Sequence, residues 1–466
     1  MSVRLFGILL VMSAFCILSS ATDAGDGIPS DPHPQWFKGN LHTHSLWSDG
    51  DDFPEMIADW YRDHGYHFLA LTDHNVIATG QRWKKITEVD KRGGGPVFEK
   101  YLSRFGGTWV ETRGHDDDRE VRLKPLDEYR CLVEERGRFL LLNAEEISDT
   151  AEGVPVHMNA SNIDAAIQPV GGKTVQDAIN ANLTNIEEQA RRTGREILAH
   201  INHPNFGWAI TAEDLAMVVR ERFFEVYNGH PGVNQPGDTH RPSIDRLWDI
   251  ANTIRIGHLS AAPLYGIATD DSHSYHKPNG ARPGRGWIMV RTTHLTPESL
   301  IRAIRAGDCY ASSGVTLRNV EYDRDQHTLT IEIEPQGEAT YTTQFIGTLQ
   351  DHDAESRPTL NEQGEPLVDK SGKPLRVSRT YSADVGKVLA AEQGLRPQYR
   401  LTGNELYVRA VVTASIPPQD PSFKGQMAQA WTQPIGWEGH VQSLDNQSTS
   451  VSFPRSRHHH EHPHPR

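Results

Sequence analysis

Six short phrases constrain this chain more than any bulk property. They are LHTHSLWSDG, LALTDHN, LLLNAEEIS, VPVHMN, LAHINHPN and GIATDDSH, and each runs apolar residues into histidines or acids. Short apolar runs of this kind read as strands buried on both faces, the pattern of a largely parallel sheet covered by helices. Between several of them the apolar spacing turns helical, as at Phe53, Met56, Ile57 and Trp60, with Pro54 near the start and Gly65 as the stop. Repeated β/α alternation with polar chemistry at strand ends argues for a barrel whose site occupies the C-terminal rim.

The polar residues of these phrases are His42, His44, Asp49, His74, Glu146, His157, His203, Asp271 and His273. Imidazoles and carboxylates together suit Zn, Mn or Fe, and a carboxylate can bridge two ions. His42 and His44 are two apart, so on a strand both side chains leave the same face. Asp271 and His273 repeat that spacing. Alone, each phrase is weak: an HxH pair is common, TDH reads as a turn, and His157 or His203 reads as a partly buried core histidine. Their joint occurrence points to a cluster of two or three divalent ions. His200 competes with His203, and Glu145 with Glu146.

The predicted strands are Asn40–His44, Phe68–Thr72, Phe139–Glu146, Ile197–Asn202, Phe223–Tyr227, Tyr265–Thr269 and Gly286–Arg291, with helices at Thr174–Arg192, Pro242–Ile254 and Pro297–Ala306. They define a barrel over 35–314. Its alternation breaks at 77–138, a stretch carrying Gly93–Gly95, the acidic run Asp116–Asp118, and Trp109, Arg113, His115 and Arg119. So long an insertion reads either as a lid over the site or as a solvated excursion. From 315 to 440 the pattern becomes β, consistent with a smaller sandwich-like domain, with Asp351–Lys373 as a loop. Residues 441–466 form a polar tail ending in RHHHEHPHPR, expected to be disordered.

At 466 residues the chain calls for more than one core, and its net charge of −14 disfavours an extended nucleic-acid track. Bound cations would still permit an anionic small-molecule substrate. Arg4, the apolar run Leu5–Leu18 and the small residues Ser19, Ser20, Ala21 and Ala24 read as a signal peptide over 1–24, so the mature chain is expected to be exported, periplasmic or extracellular, with no membrane span. Removing Cys16 leaves Cys131 and Cys309, which read either as a disulfide or as two buried thiols.

The order HxH, SDG, TDH, a Glu-Ile-Ser strand end, VxH, HP and DxH resembles the polymerase and histidinol phosphatase (PHP) family, over Asn40 to Gly314. The resemblance implies a distorted seven-stranded β/α barrel with a trinuclear metal site. Carried over by position, one ion takes His42, His44, Glu146 and Asp271. A second shares Glu146 and adds His157 and His203, and a third takes Asp49, His74 and His273. Glu146 and Asp271 are then expected to be catalytic. The family's Gly two residues before the bridging Glu is Ala144 here. PGRGW (283–287), AIRAGDCYASSGV (303–315) and AWTQPIGW (430–437) resemble an exported branch of that family with a β-rich C-terminal domain, which includes relatives of a carbamate-ester hydrolase.

The expected chemistry is hydrolysis by a hydroxide bridging two ions, with no serine or cysteine nucleophile. The favoured substrate is a phosphate ester. A carbamate, carboxylic ester or amide, a 5′-3′ exonuclease-like phosphodiester reaction, and a non-catalytic binding role are the alternatives. His230, Tyr275, His276, Arg282 and Arg285 lie near the rim phrases and are candidate substrate contacts.

Overall fold

The seven barrel strands are β1 (Gln35–Asn40), β2 (Phe68–Leu71), β3 (Leu140–Ala151), β4 (Val154–Ser161), β5 (Leu198–Ile201), β6 (Phe223–Asn228) and β7 (Tyr265–Thr269). They lie side by side in the order β7-β6-β5-β4-β3-β2-β1 in a computed structural model that describes residues 32–441. The expected leader and nearly all of the polar tail fall outside those residues. Closure comes from the segments just past β1 and β7. Asp271 N–H donates to His42 O (3.0 Å), His44 N–H donates to Ser272 O (2.9 Å), and Thr43 bridges Ser272 in parallel.

Two expectations need correction. The strand expected over 40–44 ends at Asn40, so His42 and His44 sit on its irregular extension. The seventh barrel strand is β4, antiparallel to both β3 and β5, and not the segment near Gly286–Arg291. The reversal follows from a two-residue hairpin loop. Glu152 and Gly153 both take positive φ (53° and 80°), the twist that returns a strand directly upon itself. The residues expected to form the last barrel strand instead make β8 (Trp287–Thr292), which pairs antiparallel with β1.

The helices have local reasons to stand where they do. In α1 (Pro54–Asp63) Pro54 occupies the first turn, Arg62 the last, and Gly65 follows with φ 74°. A capping box of Thr174 and Asp177 opens α2 (Val175–Thr193), and Gly194 closes it in the left-handed region. Two further helices, α3 (Ala212–Met217) and α4 (Ile244–Gly257), complete the crossovers to β6 and β7. Val156, Met158, Ile201, Phe224 and Val226 from the strands bury against Val175, Ile179, Leu215, Leu247 and Trp248.

The insertion is folded. Strands at Arg82–Lys85, Glu120–Leu123 and Thr112–Arg113 form a small sheet, with helices at Ile86–Gly93, Val97–Phe105 and Leu126–Val133. Val89, Val97, Phe98, Tyr101 and Val121 share a core with Leu46, Trp47 and Phe53. It therefore packs against the loop that carries Asp49.

Beyond the barrel the same sheet continues as β8, β9 (Cys309–Ser312), β13, β12, β10 and β11. Here β10 is Tyr341–Leu349, β11 Lys387–Gln393, β12 Glu405–Ala414 and β13 Gln429–Thr432. Helix α5 (Pro297–Ala306) joins β8 to β9. A three-stranded sheet of Leu317–Asp323, Thr328–Ile333 and Gln398–Arg400 supplies Leu317, Leu329, Ile331 and Ile333 to a core with Phe345, Val408, Ala410 and Val412. This is the expected β-rich sandwich, its main sheet continuous with that of the barrel, and residues 34–441 form one compact unit. Arg409 is buried and pairs with Asp249 of α4 (2.7 Å), tying the two portions together. Cys131 is exposed and Cys309 buried, and both are free. No helix among the described residues is long and apolar enough to cross a membrane.

Candidate metal centre

All nine ligand candidates converge. At the floor, His42 Nε2 lies 3.4 Å from Glu146 Oε1 and 3.2 Å from Asp271 Oδ1. His44 Nε2 lies 3.4 Å from Glu146 Oε2 and 3.1 Å from Asp271 Oδ1. To one side, Glu146 Oε1 meets His157 Nδ1 at 3.0 Å and His203 Nε2 at 3.3 Å. At the rim, Asp49 is 3.4 Å from both His74 Nε2 and His273 Nε2. Ligands about 2.1 Å from a tetrahedral ion stand about 3.4 Å from one another, so this spacing is that of atoms able to share ions.

Burial grades the site. His42, His44 and Glu146 are sealed, whereas the Asp49 side chain is 52% exposed, which makes the Asp49 side the open one. Of the sets expected by position, Glu146, His157 and His203 are compact enough for an ion, as are Asp49, His74 and His273. The set of His42, His44, Glu146 and Asp271 divides into His42, His44 and Glu146 on one hand and His42, His203 and Asp271 on the other. His44 also groups with Asp49, His74 and His273. Of the rival residues, Glu145 points away and accepts the Ile167 N–H. His200 instead groups with His42 and Glu225.

Two observations test whether divalent ions fit. The buried nitrogens His42 Nε2 and both ring nitrogens of His44 have no hydrogen-bond partner, although each faces the cluster. Buried polar atoms are rarely left so. Two of the candidates, His203 (φ 23°) and Asp271 (φ 48°), hold strained positive-φ backbones, a cost usually met at sites the surrounding structure has been built to hold. The donor set and its geometry fit.

Without ions the cluster is a web of mutually dependent charges. Burial resists ionisation of Glu146, but His42 and His157 overrule it and hold the carboxyl well below its usual range. For Asp271 burial is likewise overcome, by His42 and His44. His44 is pushed down to about 4 by burial and by His273. Burial also opposes the charged form of His74, yet Asp49 and Glu146 raise it to about 10.

Amides hold the carboxylates in place. Asn202 Nδ2 donates to Glu146 Oε1 (2.8 Å) and to Asn159, while Asn228 Nδ2 donates to Asp271 Oδ2 (3.1 Å). Asp73 accepts the Ser45 and Ser48 N–H groups and both hydroxyls, shaping the loop that ends in Asp49. Asp270 accepts Tyr61 O–H and the N–H groups of Gly284, Arg285 and Gly286.

The substrate candidates divide. The His230 ring stands 5.5 Å from that of His273 and 6.0 Å from Phe206, beside the cluster. Its Nδ1 accepts the Gly232 N–H (2.9 Å), which leaves Nε2 as the donor of the neutral ring. Tyr275 O–H donates to His44 O (3.0 Å) and so braces the floor. The remaining three are occupied elsewhere. Buried Arg285 bonds Asp420, Gly229 O and Gly280 O, and Arg282 pairs with Asp420. His276 lies against Asp52 and Lys100. Their proximity in sequence to the rim phrases made them candidates, and in the structure each has a protein partner.

Glu225 is the member that reading of the phrases missed. It is fully buried on β6, and its Oε1 is 2.7 Å from His42 Nδ1. The signal was present: an acid at the centre of the otherwise apolar run FFEVYN.

No family model and no curated protein matches this chain. Solved structures are similar to it, two of them as follows. One is a two-domain protein from Bacteroides vulgatus containing a predicted PHP-like metal-dependent phosphoesterase, with 14% identity over 86% of this chain and 95% of that one, at a TM-score of 0.37. The other is a candidate metal-dependent phosphoesterase from Bifidobacterium adolescentis, with 16% identity over 59% of this chain and 97% of that one, at a TM-score of 0.30.

Proposed function

We propose that this chain is a metal-dependent hydrolase of the PHP type acting on phosphate esters. The observation that carries the reading is the single cluster in which Glu146 lies within 3.4 Å of nitrogens from His42, His44, His74, His157 and His203. His42, His44, Glu146 and Asp271 would hold one divalent ion, Glu146, His157 and His203 a second, and Asp49, His74 and His273 a third.

Such ions supply Lewis acidity and bring the pKa of bound water from about 16 toward about 7. The chain's own residues do the rest. Sealed His42 and His44 keep bulk water from the floor, and the exposed Asp49 side admits substrate. His230 offers its Nε2–H to a substrate oxygen at the rim. Three divalent ions outweigh the charge of Asp49, Glu146, Asp271 and Glu225, so a loaded site attracts anions, which favours phosphate esters over neutral carbamates or amides. Export follows from the leader-like segment and belongs to the same proposal.

The test is metal analysis of the full chain reconstituted with Zn, Mn or Fe, beside turnover of aryl phosphates, phosphodiesters and aryl carbamates. Two or more ions per chain, with turnover greatest on a phosphate ester and abolished by chelation, is the expected result. Less than one ion per chain overturns the metal reading, and a preference for carbamates overturns the substrate class.

A further inference from the structure

Glu225 accepts from four directions at once. Its Oε1 meets His42 Nδ1 (2.7 Å) and Thr269 O–H (2.7 Å). Its Oε2 meets the His203 N–H (2.7 Å) and Asn228 Nδ2 (2.8 Å). Three of these contacts lead to ligand candidates. His42 is touched through its ring and His203 through its strained backbone, while Asn228 Nδ2 also donates to Asp271 Oδ2 (3.1 Å). One carboxylate thus braces residues from the extension of β1, the end of β5 and the extension of β7.

We infer that Glu225 is a positioning residue that fixes His42 with its proton on Nδ1, so that Nε2 faces Glu146 and Asp271 and controls the affinity of the ion held there. The inference rests on the proposed metal-dependent reading. Its chemistry is specific to a carboxylate. Four donors need acceptors on both oxygens, and an amide at this position offers one acceptor while turning two hydrogens toward donors. A histidine bound to metal through one nitrogen is oriented by whatever receives the proton on the other, and loss of that partner typically costs about 10–100-fold in metal affinity. Asp49, His74 and His273 make no contact with Glu225, so the rim set should not sense its loss.

The experiment compares the full chain with Glu225→Gln. Bound zinc per chain is measured by mass spectrometry across solutions buffered to graded free zinc, with the melting temperature of each apo form as a folding control. Expected is a zinc-binding curve in which part of the bound metal needs about 10–100-fold more free zinc while the rest binds as in wild type. A curve that superimposes on wild type overturns the inference and leaves the proposed function standing, as does an equal weakening of all the bound zinc with the apo melting temperature unchanged. A wild type that binds neither zinc, manganese nor iron overturns both. If Glu225→Gln does not fold, 15N-histidine NMR of the zinc-loaded wild type decides. His42 should carry its proton on Nδ1 and its metal on Nε2, and the reverse assignment overturns the inference.

Discussion

Glu145 and Glu146 are neighbours on β3 with opposite surroundings. Glu146 meets five histidines, whereas Glu145 meets the Ile167 N–H, and burial pushes its carboxyl up to about 8. Pleating sends adjacent side chains to opposite faces, so only one acid can enter the cluster. Glu146→Gln should lower turnover by about 100-fold or more and reduce metal content, because ligand loss acts on both. Glu145→Gln, which mimics the protonated acid, should keep both within about threefold, a change smaller than 1 kcal/mol. Parallel kinetics and metal analysis of the two variants check this, and equal losses would count against the assignment.

The insertion bears on the site through Arg92, whose guanidinium donates to Ser48 O (2.7 Å) and Gly50 O (3.3 Å) on either side of Asp49. Arg92→Ala should free that loop. Metal affinity at the rim is expected to fall about tenfold while the floor is unaffected, as for the loss of other supporting contacts to a ligand. Graded-zinc titration reads the difference. Uniform weakening of every ion would show that the insertion acts on the barrel as a whole.

Stability should decline with rising pH through a buried acid far from the cluster. Burial pushes Glu221 up to about 8, against the N–H groups of Phe223 and Arg222. The unfolded chain releases that proton near about 4.3, so between the two values the folded form binds more protons and loses stability as pH rises. Glu55, pushed up to about 7 by burial, acts in the same sense. Urea denaturation at pH 5 and pH 8 should show a smaller decline for Glu221→Gln than for wild type. Equal slopes would remove Glu221 from the effect.

Arg409 is buried against Asp249, with Nε and Nη2 at 2.8 and 2.7 Å from its two oxygens. Arg409→Ala leaves a buried carboxylate without its cation and should destabilise by about 3–5 kcal/mol. The double replacement of Arg409 by Met and Asp249 by Leu should cost less than either single change. Denaturation midpoints of the three variants check the ordering.

Much of the barrel and its candidate site was legible, because buried strands and their terminal ligands occupy short contiguous phrases. Less legible was what depends on pairing between distant segments. The HxH phrase reads as strand by local pattern, but its hydrogen bonds go to Asp271 and Ser272, so it belongs to the barrel closure. The reversal of β4 turned on Glu152 and Gly153, a two-residue loop easily overlooked between two apolar runs. Arg285 carried the charge expected of a substrate contact, yet its partner Asp420 is 135 residues away. Glu225 sits mid-strand in FFEVYN, away from the strand ends where the phrases concentrate their histidines and acids.

The closure of the barrel also orders events during synthesis. β1 is made first among the strands, yet its antiparallel partner is β8, and its extension pairs with Asp271 and Ser272. A nascent chain that has reached α2 owns His42, His44, Asp49, His74, Glu146 and His157 but cannot close the ring that gathers them. Such long-range pairing is slow and leaves early strands open to wrong partners. The candidate ligand set is therefore completed near the end of barrel synthesis, when residues 271–292 are free to return to the first strand, so a metal can be gathered by all of these residues only after that point.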